Sequence, residues 1–357
     1  MISISLCMIV RDEEDVLERC LNSIHDIVDE IIIVDTGSID RTKEIARKFS
    51  SKIFDYKWID NFSSARNFSY SKATKDYILW LDADDIILEK DRMKLLELKK
   101  TLDNAIDVVS MNYDVGFKDN ESSSITFRRY RLVKRKRDFE WSGHVHEYLN
   151  VEGIIYNSDI SVTHKKLKPY TKRNLDIYEN MIRNRIDFTP RDTFYYTTEL
   201  YENGYEEEAI VRYKNFLVNQ EDMLEEKITA CAKLADYYYK KNQYEECKKY
   251  CTKSFLYDIP RAEFCCRLGF CLFFQKKFND AIFWYDLATK IEKPSDSFGF
   301  FNDACWTWLP YVQLCKCYDL IGEEKLAYEC NEKAYDYVKD NELVNNNKKY
   351  FMKLGYN

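Results

Sequence analysis

Two aspartates separated by one residue, Asp82 and Asp84, follow the apolar run 77–81. Side chains two positions apart at a strand end point the same way. Paired carboxylates, together with phosphate oxygens, make a site for a hard cation such as Mg²⁺ or Mn²⁺. The chain has 9 glycines, none with the spacing of a dinucleotide-binding or P-loop motif. A metal held by aspartates would therefore neutralise a diphosphate that no glycine loop is present to hold.

Two more polar clusters stand at the ends of apolar runs: residues 11–14 (RDEE) after 2–10, and residues 35–38 (DTGS) after 31–34. Up to about residue 165, such runs alternate with helical spacing, which predicts an α/β domain with a mostly parallel sheet covered on both faces. Ligands of such sheets bind beyond the carboxyl ends of the strands. We therefore expect the three clusters to converge on one edge.

Several ordered motifs then identify a family resemblance. They are residues 5–14 (SLCMIVRDEE), 30–40 (EIIIVDTGSID), 62–67 (FSSARN), 80–85 (WLDADD), 141–147 (WSGHVHE) and 162–164 (VTH). On these motifs residues 1–175 resemble the family-two glycosyltransferases of the GT-A fold, a Rossmann-like nucleotide-sugar-binding domain. The subgroup that joins this domain to tetratricopeptide-like helices includes peptide S- and O-glycosyltransferases. Lipopolysaccharide-core glucosyltransferases are similar in the first half.

The resemblance implies a UDP-sugar donor and a pocket for it. Asp35 would accept a hydrogen bond from N3–H of the uracil, with a helix cap as the alternative. Arg66 would lie near the diphosphate or brace the aspartates, with a surface ion pair as the alternative. The remaining residues of the pocket would be Val10, Arg11 and Glu13.

The resemblance also implies a metal site for Mn²⁺ or Mg²⁺. Asp82 would face the ribose and the metal, Asp84 would bind the metal, and His164 would complete the site, since imidazole is an acceptable manganese ligand. A structural role for His164 is the alternative, because the following residues 165–168 (KKLK) depart from the Gly-Tyr that relatives often carry.

Inverting transfer needs one base that deprotonates the acceptor as it attacks the anomeric carbon. Glu147 is the first choice for this base, His146 is the second, and Asp85 is a third possibility. Trp141, in the same motif as the first two, would pack against the sugar.

A basic run at 128–137 (RRYRLVKRKR) has two interpretations. It would form a wall near the anionic donor, with Arg131 placed before an apolar pair as in the family. Alternatively it is a solvated hairpin edge, where charge prevents pairing with another strand.

From about residue 190 the strand patterns end and an internal repeat begins. Small residues match small ones and aromatics match aromatics at a separation of 34, the period of tetratricopeptide repeats. Examples are Ala235 with Gly269, Cys247 with Ala281, and Tyr250 with Trp284. We expect three to four stacked helix pairs, rather than an unrelated helical bundle, with aromatic side chains on a surface that binds the acceptor.

The composition argues against several other classes of protein. Lys and Arg number 54 and Asp and Glu 61, giving a net charge of −7 that disfavours nucleic-acid binding. No run approaches the roughly 20 apolar residues of a membrane span, and the first ten residues resemble a strand more than a signal peptide. Twelve cysteines without a CxxC pair indicate core residues of a reducing, cytoplasmic protein instead of a zinc or disulfide framework.

The sequence thus predicts a GT-A domain at 1–168, a linker helix at 169–189 and tetratricopeptide-like repeats at 190–357. The predicted function is metal-dependent, inverting transfer from a UDP-sugar to a protein or peptide side chain, with the repeats binding the acceptor. Three alternatives remain open: a lipid-linked or polysaccharide acceptor, an inactive repeat scaffold, and a nucleotidyltransferase. A homodimer through the repeats is a further expectation.

Overall fold

The computed structural model describes residues 1–115, 125–165, 171–219, 223–294 and 301–356. The chain forms two compact units that divide between Glu199 and Leu200. The predicted boundaries at 168 and 190 stay a prediction, and both the first boundary and most of the segment 165–168 lie outside the described residues.

The first unit alternates strands and helices in its amino-terminal part, as the apolar runs predict. Its strands are β1 (Ile4–Val10), β2 (Glu30–Asp35), β3 (Lys52–Asp55), β4 (Tyr77–Trp80), β5 (Asp85–Ile86), β6 (Val108–Val115), β7 (Ile125–Lys134), β8 (Trp141–Ser142), β9 (Tyr148–Leu149) and β10 (Ile155–His164). Its helices are α1 (Leu17–Asn22), α2 (Thr42–Arg47), α3 (Phe62–Tyr70), α4 (Glu89–Thr101), α5 (Arg173–Arg183) and most of α6 (Pro190–Glu202).

The main sheet has the order β3-β2-β1-β4-β7-β6-β10-β5. The first four strands are parallel, and Val10 lies opposite Asp35 in the register of β1 and β2. The sheet is mixed and not mostly parallel throughout, because β7 runs antiparallel to β4 and β5 runs antiparallel to β10. The parallel part still brings the polar residues that follow β1, β2 and β4 to one edge, as predicted.

Apolar side chains cover both faces of this sheet. Alternate residues of β1 point to opposite sides: Leu6 packs with Leu21 of α1, whereas Cys7 packs in a separate cluster with Trp80 and Trp141. Because β1, β2 and β4 are buried on both faces, their sequences consist mainly of consecutive apolar residues.

The second unit consists mainly of helices, which confirms the tetratricopeptide-like repeat. Its described elements are α7 (Glu206–Asn219), α8 (Leu224–Lys240), α9 (Tyr244–Ser254), α10 (Ala262–Phe274), α11 (Phe278–Ala288), the short strand β11 (Phe301–Asn302), α12 (Trp308–Leu320), α13 (Glu324–Tyr337) and α14 (Glu342–Lys353). The helices pack as successive pairs, α8 with α9, α10 with α11, and α12 with α13.

The small residues that recur every 34 positions lie where neighbouring helices approach each other closely. A Cβ atom added at Gly269 on α10 would lie 2.5 Å from the ring of Tyr285 on α11, and that ring is fully buried. All twelve cysteines are buried with free thiols. Among the described residues, no helix combines the length and apolarity needed to cross a bilayer.

Candidate active site

Asp35 is a buried carboxylate with one oxygen held by the chain. Its Oδ2 accepts hydrogen bonds from the backbone N–H groups of Gly37 and Ser38 at 3.1 and 3.0 Å, and the Nζ of Lys43 lies 3.7 Å away. Its Oδ1 is buried and has no hydrogen-bond partner in the described part of the chain. A buried acceptor without a donor is costly unless a ligand supplies one.

The three other residues of the predicted nucleotide pocket lie at the end of β1 or just beyond it. Val10 is buried opposite Asp35. The side chain of Arg11 is 50% exposed. The backbone N–H of Glu13 donates to Thr42 Oγ1 at 2.7 Å, which joins this segment to the helix after Asp35.

Arg66 joins the first aspartate of the motif to the predicted base. Its NH2 lies 2.7 Å from Asp82 Oδ1, and its Nε lies 2.6 Å from Glu147 Oε1. The guanidinium packs against the indole rings of both Trp80 and Trp141, at 4.7 and 4.9 Å from their centroids. Because the side chain of Arg66 is only 8% exposed, its ion pairs are not surface ion pairs. Arg66 instead braces Asp82, the first aspartate of the motif.

Arginine charges determine the ionisation of Asp82. Burial alone raises the pKa of Asp82, but the positive charges of Arg66 and Arg131 outweigh burial and lower the pKa to about 2. Burial also disfavours the charged form of Arg66, yet Asp82 and Glu147 raise the pKa of this guanidinium above its ordinary value. Asp82 and Arg66 therefore stay ionised together across the physiological range.

A second cluster, Asp84, Asp85 and His164, has the donors of a cation site. Antiparallel pairing of β5 with β10 sets His164 opposite Asp85. His164 Nδ1 lies 3.4 Å from Asp84 Oδ1 and 3.3 Å from Asp85 Oδ1, and one ligand atom from each residue lies within 4.8 Å of the others. Carboxylate oxygens with one imidazole fit Mn²⁺ or Mg²⁺. Asp82 lies outside this cluster, so its role as a ligand stays a prediction.

The charge balance of this cluster also suits a cation. Burial raises the pKa of Asp84 to about 6, with further increases from Asp82 and Asp85 and an opposing effect from His164. Burial lowers the pKa of His164, but the hydrogen bond and charge of Asp85 and the charge of Asp84 raise it overall. Crowded carboxylates of this kind favour a bound positive charge.

Asp85 itself is held by buried partners on both of its oxygens. It is fully buried, its Oδ2 lies 3.1 Å from Arg131 NH1, and its Oδ1 accepts from the hydroxyl of Tyr113 at 2.9 Å. A carboxylate enclosed in this way cannot reach an acceptor hydroxyl or thiol, which argues against Asp85 as the base.

Two sequence expectations differ from the structure. Trp141 was expected to pack against the sugar, but only 5% of it is exposed and its ring packs against Trp80 and Tyr70 with centroids 4.9 and 6.0 Å apart. The basic run is not a hairpin edge, because β7 lies between β4 and β6 and Arg131 is wholly buried. The Trp141 indole packs against the guanidinium of Arg66, and Arg131 forms an ion pair with Asp85.

Glu147 and His146 are neighbours in the chain but have different partners. Glu147 pairs with Arg66, whereas His146 Nε2 lies 2.7 Å from Oε1 of Glu199 on α6. Sequence reasoning missed Glu199 because no motif surrounds it and 53 residues separate it from His146. It also missed Tyr113, whose only signal was its place in a strand-like run.

Residues 5–155 match the family model described as glycosyl transferase family 2. A TPR repeat-containing protein of Synechococcus elongatus is 40% identical over 152 residues, which are 42% of this chain and 36% of that protein. The SPbeta prophage-derived glycosyltransferase SunS of Bacillus subtilis is 28% identical over 233 residues, 61% of this chain and 54% of SunS. The chain thus spans about half, or less, of the length of these relatives.

Among solved structures, the glucosyl-3-phosphoglycerate synthase of Mycobacterium tuberculosis in complex with Mn²⁺ and UDP-glucose is 15% identical. That match covers 53% of this chain and 81% of the synthase, with a TM-score of 0.37.

Proposed function

We propose that this chain, whose residues 5–155 are a family 2 glycosyltransferase domain, transfers a sugar from a UDP-sugar to a protein or peptide side chain with inversion at the anomeric carbon. The observation that carries the donor assignment is Asp35, with one oxygen held by backbone amides and the other buried without a donor among the described residues. The N3–H of a uracil is a donor of the right kind for that oxygen.

The cation site supports metal-dependent transfer. Asp84, Asp85 and His164 are the residues that would hold Mn²⁺ or Mg²⁺, and Asp82 is proposed as a further contact to metal and ribose. A bound divalent cation would offset the negative charge that grows on the departing diphosphate.

The chain's own residues have separate tasks in this proposal. Arg66 keeps Asp82 ionised and holds Asp82 and Glu147 in place, because it contacts both carboxylates and packs against two indoles. A base in the segment 141–147 takes the proton of the acceptor, and Glu147 and His146 are the two residues there that can accept one.

The helical repeats support a polypeptide acceptor. Stacked helix pairs create extended surfaces that suit a long, flexible ligand. Binding the acceptor on the same chain as the donor site would raise its local concentration at the reacting centre.

Uridine recognition by Asp35 can be tested by binding. In Asp35→Asn, the amide oxygen can keep the contacts to Gly37 and Ser38, which turns the NH2 group toward the position of Oδ1 and replaces an acceptor with a donor. We expect the dissociation constant for UDP to rise about tenfold or more, as for a mispaired buried group. Asp55→Asn is the matched control, since Asp55 is 77% exposed and also pairs with Lys43.

Transfer itself is tested by incubating the chain and Mn²⁺ with a panel of nucleotide sugars and host-cell peptides, followed by mass spectrometry. A hexose-sized mass increase on a peptide supports the proposal. Transfer only to lipid-linked or polysaccharide acceptors would overturn the peptide assignment, and unchanged UDP affinity in Asp35→Asn would overturn the uridine assignment.

A further inference from the structure

We infer that Glu199 is a positioning residue that orients His146 as the base of the transfer reaction, an inference that rests on the proposed glycosyltransferase function. The structure fixes the imidazole at three points, and the described residues give its other ring nitrogen no hydrogen-bond partner. Each contact lies within the first compact unit.

The first point is the hydrogen bond to a buried carboxylate. His146 Nε2 lies 2.7 Å from Glu199 Oε1, and the side chain of Glu199 is 2% exposed. Asn174 Nδ2 donates to the same oxygen at 3.0 Å. An ionised carboxylate only accepts hydrogen bonds, so Nε2 of His146 carries the hydrogen and Nδ1 of a neutral ring keeps its lone pair.

The second point is a stack of planar groups. The rings of His146 and Tyr195 have centroids 4.2 Å apart and planes inclined by 14°. The guanidinium of Arg191 covers the Tyr195 ring at 4.6 Å and the Tyr148 ring at 4.8 Å. This stack sets the plane of the imidazole, whereas the bond to Glu199 sets its rotation within that plane.

The third point is the backbone of His146. It has a left-handed φ of 50°, which is unfavourable for a residue with a Cβ atom, and Arg191 Nε donates to its carbonyl at 3.2 Å. Strained backbone held by its surroundings is a frequent feature of functional sites.

These contacts give His146 an advantage over Glu147 as a proton acceptor. Oε1 of Glu147 is already engaged by Arg66, and its side chain is 12% exposed. The side chain of His146 is 30% exposed. The charged and titratable groups that face His146 are Glu199, Tyr195 and Arg191, with Glu147 next to it in the chain.

In the reaction step, His146 Nδ1 takes the proton from the acceptor hydroxyl or thiol as that atom bonds to the anomeric carbon. The bond from the anomeric carbon to the diphosphate oxygen breaks, and its electron pair leaves with UDP. The carboxylate of Glu199, hydrogen-bonded to Nε2, stabilises the imidazolium that forms, as a carboxylate does beside an imidazole in other acid–base pairs.

The test compares His146→Gln, Glu199→Gln and the control His144→Gln in the same segment. Glutamine keeps a donor near the position of Nε2 but has no basic nitrogen. We expect His146→Gln to lower kcat by about 10²–10⁴-fold with little change in KM for the donor and in Tm. It should also change the shape of the pH–rate profile, because the group that accepts the proton is lost.

Glu199→Gln distinguishes positioning from simple packing. Because Asn174 donates to Oε1, the amide oxygen of this variant keeps that position and its contact to Nε2, while the negative charge beside the imidazole is lost. We expect kcat to fall at least about tenfold, because the imidazolium that forms in the reaction no longer has an anionic partner. Nitrogen-15 NMR of labelled histidine, of which the chain has only four, should show hydrogen on Nε2 in the wild type.

Three results would overturn the inference: kcat of His146→Gln within about threefold of wild type, an unchanged pH profile in that variant, or hydrogen on Nδ1 in the wild type. An active His146→Gln leaves the proposed glycosyltransferase function intact. A wild-type chain that transfers no sugar overturns the function and this inference together.

Discussion

Arg66 Nε lies 2.6 Å from Glu147 Oε1, and this pair connects helix α3 to the segment that carries the candidate bases. The same guanidinium holds Asp82, so one buried cation compensates two carboxylates on different parts of the chain. Loss of that cation would leave both anions without their partner, which is more costly than loss of either anion alone.

We therefore expect Arg66→Met to lower the free energy of unfolding by a few kcal/mol, at or below the roughly 3–5 kcal/mol typical of a broken buried pair. The lower part of that range applies because the Asp82 side chain is 35% exposed. Urea denaturation measures the change. Adding Glu147→Gln should recover part of it, since the double variant buries one uncompensated anion fewer.

Arg92 provides the matched control for Arg66. It also bridges two carboxylates, those of Asp26 and Glu89, but their side chains are 51% and 78% exposed. Arg92→Met should cost much less than Arg66→Met because solvent screens exposed pairs. Equal costs for the two variants would contradict the role assigned to burial.

The cation site makes a second prediction, which separates Asp82 from Asp84. Mn²⁺ should raise Tm by mass action, equivalent to about 2.7 kcal/mol when its concentration is a hundred times the dissociation constant. Asp84→Asn and His164→Gln should remove most of this shift, because both contribute to the cluster. Asp82→Asn should remove a smaller part of it, because Arg66 already binds the Asp82 carboxylate. Differential scanning fluorimetry with and without EDTA provides the measurement.

If Asp82→Asn instead removes the Mn²⁺-dependent shift as completely as Asp84→Asn does, then Asp82 leaves Arg66 when the metal binds. That result would support the ligand role predicted from the sequence and contradict the division seen in the structure. Loss of the shift in none of the three variants would exclude this site for the metal.

The sequence predicted which residues end the strands, but not how their side chains divide. Asp82 and Asp84 were expected to act as a pair, because alternate positions of a strand share a face. Their partners, Arg66 and His164, come from α3 and from the end of β10. Only the pairing of β10 with β5, between residues distant in sequence, determines that His164 meets Asp84 and Asp85.

A third prediction concerns Glu30 and the pH dependence of the free energy of unfolding. Its carboxylate pairs with Lys52 and accepts from Ser5 Oγ at 2.5 Å and from the N–H and hydroxyl of Thr74 at 2.9 and 2.8 Å. Burial raises the pKa of Glu30, but these contacts outweigh it and lower the pKa from 4.5 to about 2. A lowered carboxyl pKa stabilises the folded state at pH values above the unfolded pKa.

The contribution of Glu30, about 3 kcal/mol at most, should therefore be complete above about pH 5 and disappear as the pH falls from about 4.5 to 2. Denaturant unfolding of wild type and Glu30→Gln across this range isolates the contribution as the difference between them. Glu18→Gln is the control, because Glu18 forms an exposed pair with Lys48. A wild-type minus Glu30→Gln difference that does not vary with pH would contradict the prediction.

The fold was more predictable where structure is local or periodic. The 34-residue period identified the repeats, since each helix pair needs small residues at the same contact positions. The position of β7 in the sheet was harder to predict from the sequence, because a basic run suggests an exposed edge strand. Arg131 is nevertheless buried there, paired with Asp85 and lying 3.8 Å above the Trp80 ring, and a partner 46 residues away cannot be read from local composition.

Gly269 supports the last prediction, which tests the repeat packing directly. In a helix interior, Gly→Ala normally stabilises by about 0.5–1 kcal/mol. At Gly269 the new Cβ would stand 2.5 Å from the buried ring of Tyr285, and such overpacking costs about 1–3 kcal/mol. We expect Gly269→Ala to lower the free energy of unfolding, as measured by urea denaturation. The double variant Gly269→Ala/Tyr285→Leu should show less than the sum of its two single costs, because a smaller side chain leaves room for the methyl group. If Gly269→Ala is stabilising, or if the two costs are strictly additive, then α10 and α11 pack less closely than the contact of Gly269 with Tyr285 indicates.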